Sequence, residues 1–270
     1  MIFLLSPAKS LDYETPLPAG LGRKATEPVF TDRAAELIEV LRPLSTAQVA
    51  GLMDLSENLA SLNVARYTAW APKANAANSR PAVLAFNGDV YDGLQASTLT
   101  PEDLAWAQDH VVILSGLYGA LRPLDKLQPY RLEMGTKLSN PRGKDLYAYW
   151  GDTVAEYLNT RLKSDSKATA KTSGSVQRVI VNLASQEYFK VADRRSLDAR
   201  VVECVFEDWK AGTYKIISFF AKRARGLMAH YAIAQRLTTV EALQAFDLDG
   251  YAYAAKASDP DRLVFRRRQA

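Results

Sequence analysis

The chain has 270 residues, 48% of them hydrophobic and 24% charged, with a formal net charge of +4. That length buries a substantial core, the composition excludes a disordered chain, and the small basic excess admits a phosphate or nucleic-acid partner without demanding one. One cysteine, Cys204, excludes an internal disulfide and fits a reducing cytoplasm, while two histidines, His110 and His230, give no metal-ligand spacing. No metal and no cofactor are expected, and no apolar run approaches the length of a membrane span.

Ile2–Leu5 reads as a first buried strand, ended by Ser6-Pro7. Lys9 then stands just past a strand end, where open α/β sheets bind their ligands; the plainer alternative is a surface lysine in a turn. Thr31–Leu41 has apolar residues at helical spacing, with Ala34, Leu37, Ile38 and Leu41 on one face, and Pro43 ends it. A second helix is expected from Ser45 or Thr46. In the following LSENLASLNVARYTAW the pattern predicts a helix pair turning at Ser61-Leu62-Asn63, with Arg66 adding charge beside it.

Residues 81–86, PAVLAF, read as a second buried strand that turns at Asn87-Gly88-Asp89. Thr100-Pro101-Glu102-Asp103 opens a capped helix closing near His110, so a βαβ crossover to the apolar run 111–115 is expected. Residues 116–145 are broken by glycine and proline, yet too apolar for a solvated linker. They carry Arg122, Arg131 and Lys144 within a cationic surplus, which suits a half-buried loop that builds a site. The alternative is a covering loop whose arginines tie down backbone carbonyls.

A helix is predicted over 146–162, a mobile Ser/Thr/Lys-rich loop over 163–177, and strands over 178–183 and 200–206. Between those strands lies a turn-rich stretch with Glu187, Tyr188 and Lys190. Residues 214–220 read as a strand that gives way to a helix with Lys222, Arg223 and Arg225 in its first turn. Cations there oppose the helix dipole unless an anion answers them; the alternative is pairing with Glu187, Glu203 or Asp208. Residues 263–265 suggest a last edge strand, and Arg266-Arg267-Arg268 a solvated tail. Together these elements predict one α/β domain, mixed α+β, over residues 1–270, built around a mixed sheet.

Strand end, turn, then a cation with an aromatic nearby is the arrangement that recurs. Lys9, Arg66, Arg122, Arg131, Lys144, Lys190, Lys222, Arg223 and Arg225 are therefore the candidate DNA- or phosphate-binding residues. No catalytic residue is assigned. Asp12, Asp89, Asp92 and Glu187 stand at turns, and Cys204 fits a buried structural thiol.

Six blocks carry a resemblance: SPAKSLDY (6–13), FNGDVYDGL (86–94), LSGLYGALRPLDKLQPYRLEMG (114–135), RGKDLYAYWGD (142–152), NLASQEYFK (182–190) and KIISFFAKRARGLMAHY (215–231). They closely resemble the bacterial YaaA family of peroxide stress proteins. The resemblance implies a cytoplasmic protein that limits unincorporated iron and protects DNA under hydrogen peroxide. It also implies a basic cleft beside a helix-hairpin-helix element, here residues 46–70, and binding to duplex or distorted DNA. Ser61 stands where glycine is commoner in that element, and Asn87 where lysine is expected. An enzyme acting on a phosphorylated or nucleotide-like small molecule in the same cleft is the second hypothesis.

Overall fold

Every residue of β1 (Ile2–Leu5) is buried, as a continuous apolar run requires when both faces of a strand are covered. In the computed structural model, which describes residues 1–18, 24–169 and 178–268, this strand lies in the interior of the main sheet. The short β2 (Ser10–Leu11) follows. α1 (Thr31–Leu41) buries Ala34, Leu37, Ile38 and Leu41, the face read from its spacing.

α2 (Thr46–Met53) opens with a capping box between Ser45 and Gln48, and α3 (Glu57–Ala69) is capped by Ser56. The helical hairpin is thus present, but its turn is not at Ser61-Leu62-Asn63, which lies inside α3. The chain turns at residues 54–56, where Asp54 takes a left-handed conformation at φ 52°. Asn63 is fully buried within the helix and donates from Nδ2 to the Leu59 carbonyl at 2.7 Å.

β3 (Arg80–Pro81), α4 (Ala82–Ala85) and β4 (Phe86–Asn87) replace the strand expected over 81–86. The Ala82 and Val83 amides donate to the carbonyls of Asp125 and Pro123 at 2.9 and 3.0 Å. The irregular segment thereby takes the hydrogen bonds that a sheet partner would have supplied. No βαβ unit therefore joins this run to the next strand.

α5 (Asp89–Leu94) precedes α6 (Pro101–His110), which opens as read: Thr100 and Asp103 form a capping box ahead of Pro101. β5 (Val111–Ser115) is buried throughout, β6 (Gly119–Leu121) folds back antiparallel on it, and β7 (Lys126–Leu127) pairs with β3. The helix expected over 146–162 is two helices, α7 (Leu146–Trp150) and α8 (Thr153–Thr169). They part at Gly151, whose φ of 49° no regular helix accommodates. α8 runs on into the stretch read as a loop over 163–177; residues 170–177 of that loop lie outside the described residues.

β8 (Val179–Asn182), α9 (Gln186–Phe189), β9 (Arg200–Lys210) and β10 (Thr213–Lys215) follow. α10 (Ser218–Ala234) begins three residues before the expected helix start, so Phe219 and Phe220 are helical and the three cations occupy its second turn. β11 (Ala252–Tyr253) and β12 (Arg262–Arg267) complete the sheet.

The strand order is β11-β12-β9-β8-β1-β5-β6, with β10 attached to β9. β5, β1, β8, β9 and β12 are mutually parallel neighbours, flanked by antiparallel β6 and β11. The fold is therefore mixed α/β, as expected. From β1 the chain crosses to β5 on one side, then returns to β8 on the other. The topological switch point of the parallel set thus falls between β1 and β8.

β12 is not an edge strand, because it lies between β9 and β11. Nor is 266–268 a solvated tail. Arg267 is buried and donates to Asp208 at 2.7 Å and Asp249 at 2.6 Å, while its guanidinium stacks on Phe220 and Tyr251. Arg266 pairs with Glu207 at 2.8 Å, and Arg268 lies over Trp209. A charge run looks solvated in a sequence when its acids are distant in the chain. Here Glu207 and Asp208 on β9 stand in register with Arg266 and Arg267.

Candidate phosphate-binding cleft

A cleft of about 440 Å³ opens at the switch point. Its floor follows from the strand ends: the Ser185 amide donates to Ser6 Oγ at 2.9 Å, joining the residues that follow β1 and β8. The Tyr91 hydroxyl donates to the Ser6 carbonyl at 3.1 Å and fixes that turn from α5. One wall is Tyr130 to Glu133 of the irregular segment, the other residues 87–90 and α10.

Four predicted cations converge here: Lys9, Arg131, Lys222 and Arg225 all line the cleft. Lys9 and Arg131 share one carboxylate, Glu133, at 3.0 and 3.6 Å. The Nε of Arg131 is buried and has no hydrogen-bond partner among the described residues. Arg225 sits low in the wall; burial draws its pKa below the ordinary guanidinium range, with Glu203 acting the other way. Among the described residues no carboxylate forms an ion pair with Lys222, which is exposed. Two acids therefore face these cations from the cleft wall besides Asp89: Glu133, and Glu187, whose Oε1 accepts the Gly135 amide at 2.9 Å.

The close approach of α10 to α5 sets the width of the cleft. A Cβ on Gly226 would lie 1.8 Å from the Val90 carbonyl oxygen, and one on Gly93 would lie 2.1 Å from that of Arg223. Only two glycines permit this backbone-to-backbone contact, which brings Lys222 and Arg225 over the strand ends.

The other predicted cations lie elsewhere. Arg122 is held by the buried Asp125 at 2.9 Å and by the Glu27 carbonyl, which is the covering-loop alternative realised. Arg223 faces a separate groove with Asp249 at 3.8 Å and donates to the Asp92 carbonyl. Lys190 lies over the Tyr147 ring at 4.6 Å, and Lys144 is exposed away from the lining. Arg66 lines a different cavity, beside Tyr13 and Trp70. Of the turn-borne acids, Asp12 caps the Glu14 and Thr15 amides at 2.9 Å each. Cys204 is buried in β9, where burial pushes its thiol up to about 12, in keeping with a packing residue.

Glu133, Ser6 and Ser185 are cleft residues that the sequence did not single out. A serine directly after an apolar strand was the available signal for Ser6. Nothing local marks Glu133, whose partners come from a turn 124 residues earlier in the case of Lys9.

Among the described residues no group of three or more His, Cys, Asp or Glu is placed to hold a metal ion. No described helix is long and apolar enough to cross a membrane. Fold and site together define an α/β protein with a cationic cleft beyond the carboxyl ends of its parallel strands, a geometry suited to phosphate groups. A sequence model of the family described as "Peroxide stress protein YaaA" matches residues 1–257, and the chain belongs to that family. It is 67% identical to a UPF0246 protein of Leptothrix cholodnii and 61% identical to one of Bordetella pertussis, each over the full length of both chains. A UPF0246 protein of Albidiferax ferrireducens is 59% identical over 269 residues, which is 99% of that protein.

Proposed function

We propose that this protein serves the peroxide-stress response in the cytoplasm by limiting unincorporated iron and protecting DNA, and that it grips duplex or distorted DNA through the cleft. The observation that carries this is the convergence of Lys9, Arg131, Lys222 and Arg225 at the strand ends, with Lys222 exposed and Arg131 Nε unpaired. Such cations attract phosphates without reading sequence. Phe219, one turn before Lys222 on α10, is 55% exposed and presents an aromatic surface for an unstacked base. The helical hairpin supports the reading less, because Asp54 and Glu57 flank its turn and repel phosphate.

A second reading is an enzyme acting on a phosphorylated or nucleotide-like small molecule. The observation favouring it is that Glu133 and Glu187 stand among the cations in a cleft of small-molecule size, about 440 Å³.

Fluorescence anisotropy against duplex, single-stranded and four-way-junction DNA over a salt series tests both. On the DNA reading, affinity falls steeply with salt, Lys222→Glu and Arg225→Glu weaken all sequences alike and flatten the slope, and Arg223→Gln changes little. Negligible binding at low salt transfers the cleft to the small-molecule reading.

A further inference from the structure

A second cavity, of about 170 Å³, lies behind the wall of the cleft between the end of α3 and the turn after β7. It is slightly larger than the roughly 150 Å³ apolar cavity that accommodates a benzene molecule. Its walls are the Tyr13 and Trp70 rings, Ala69, Ala77 and Pro129, with Asn78, Gln128 and Arg66 completing the lining.

Most of the polar wall atoms are already engaged by the protein. The Tyr13 hydroxyl donates to the Leu127 carbonyl at 2.5 Å, and Trp70 Nε1 donates to the Tyr118 hydroxyl at 2.9 Å. The Gln128 amide makes both its bonds to the Ala71 backbone, at 3.1 and 2.6 Å, and Asn78 Oδ1 accepts the Asn75 amide at 2.7 Å.

Arg66 is the exception. Its one hydrogen bond among the described residues is a 3.3 Å contact from Nη1 to Asn63 Oδ1, although a guanidinium carries five donors. No described carboxylate pairs with it. Burial and the like charge of Arg131 hold its pKa below the ordinary range. The α3 C-terminus supplies only a partial negative charge. A mostly apolar, solvent-open pocket with one half-buried cation that no described carboxylate pairs suits a ligand that is flat, apolar over most of its surface and singly negative at one edge.

We infer that this cavity is a binding site for a small aromatic monocarboxylate, with Arg66 on the carboxylate and Tyr13 and Trp70 against the ring. A carboxylate matches the planar guanidinium fork with two parallel bonds, whereas a phosphate dianion would leave charge unmet by a single arginine. The site is separate from the cleft and does not depend on DNA binding. The two are nevertheless adjacent, since Gln128 and Pro129 line the cavity and the next two residues, Tyr130 and Arg131, line the cleft.

The test is isothermal titration calorimetry of the full chain with benzoate, benzyl alcohol and inorganic phosphate, with tryptophan emission, to which Trp70 in the pocket wall contributes, followed in parallel. Saturable one-site binding of benzoate is expected, about tenfold or more weaker for benzyl alcohol. Phosphate should not compete. Arg66→Gln should lower benzoate affinity by about tenfold while leaving the thermal midpoint near that of the parent. Ala77→Phe, an exposed wall position, should block the cavity and abolish binding. Absence of saturable binding at millimolar benzoate overturns the assignment, as does equal affinity in Arg66→Gln or Ala77→Phe, or displacement of benzoate by phosphate.

Discussion

Glu133 occupies, in the folded chain, the position that a ligand's negative charge would take, between Lys9 and Arg131. An internal carboxylate of this kind keeps the cations soluble and oriented but competes with any phosphate. On the DNA reading proposed above, replacing it with the isosteric amide in Glu133→Gln should raise DNA affinity about two- to fivefold, the worth of a partly exposed ion pair. The salt slope should steepen as well, because two released cations engage phosphate. Weaker binding in this variant, read by anisotropy, would mean that Glu133 orients the site more than it opposes the ligand. At this scale the sequence was legible in kind and not in place. Residue type and strand-end position pointed to Lys9, Arg131, Lys222 and Arg225, which the fold brings to one cleft, but Arg122 has the same local appearance and is held by Asp125. The second partner of Arg122, the Glu27 carbonyl 95 residues earlier, is one that local sequence does not reveal.

α5 and α10 form the element pair on which the cleft depends, and their contact has almost no slack. Gly226→Ala would place a methyl 1.8 Å from the Val90 carbonyl oxygen. The helices must then separate, at a cost of about 3 kcal/mol by the measure of overpacked interiors. Urea unfolding should show that loss, and on the DNA reading the displaced α10 should also weaken DNA binding even though no cation has changed. Retained stability would show that the two helices can slide apart freely. Elements with strong local signals were legible: β1, β5 and the capped α6 stand where their patterns put them. Two apolar runs were not. Residues 81–86 and 214–220 carry strand-like composition, yet tertiary context folds Ala82–Ala85 and Phe219-Phe220 as helix. The first run gives two of its amides to the irregular segment, and the second packs Phe220 on Arg267.

Over the whole molecule, stability in acid should follow carboxylates whose protonation the fold resists. The Asp12 carboxylate is lowered from 3.8 to about 2, first by the Thr15 hydroxyl and amide and further by the Glu14 amide and Arg80. A depressed pKa contributes stability that is fully present above 3.8 and is lost as pH falls through about 2. Asp12→Asn should therefore flatten the pH dependence of the thermal midpoint across that window and leave its shape unchanged above it. An unaltered acid limb would assign the loss to Glu36 and Asp103, which are lowered in the same direction. The sheet as a whole was legible as mixed α/β, but its strand order was not, because order depends on which side each crossover takes. β12 shows this most clearly, a strand read as an edge that the fold inserts between β9 and β11.

Cys204 is buried, which bears on how a member of the peroxide stress protein family meets peroxide. Hydrogen peroxide is reduced by thiolate, not by thiol, and the single cysteine of this chain is held protonated inside β9. Burial therefore disfavours sulfenate formation at Cys204, and the chain has no second cysteine with which to close an internal disulfide. Burial of Cys204 thus shields the thiol of this chain from oxidation in the folded state.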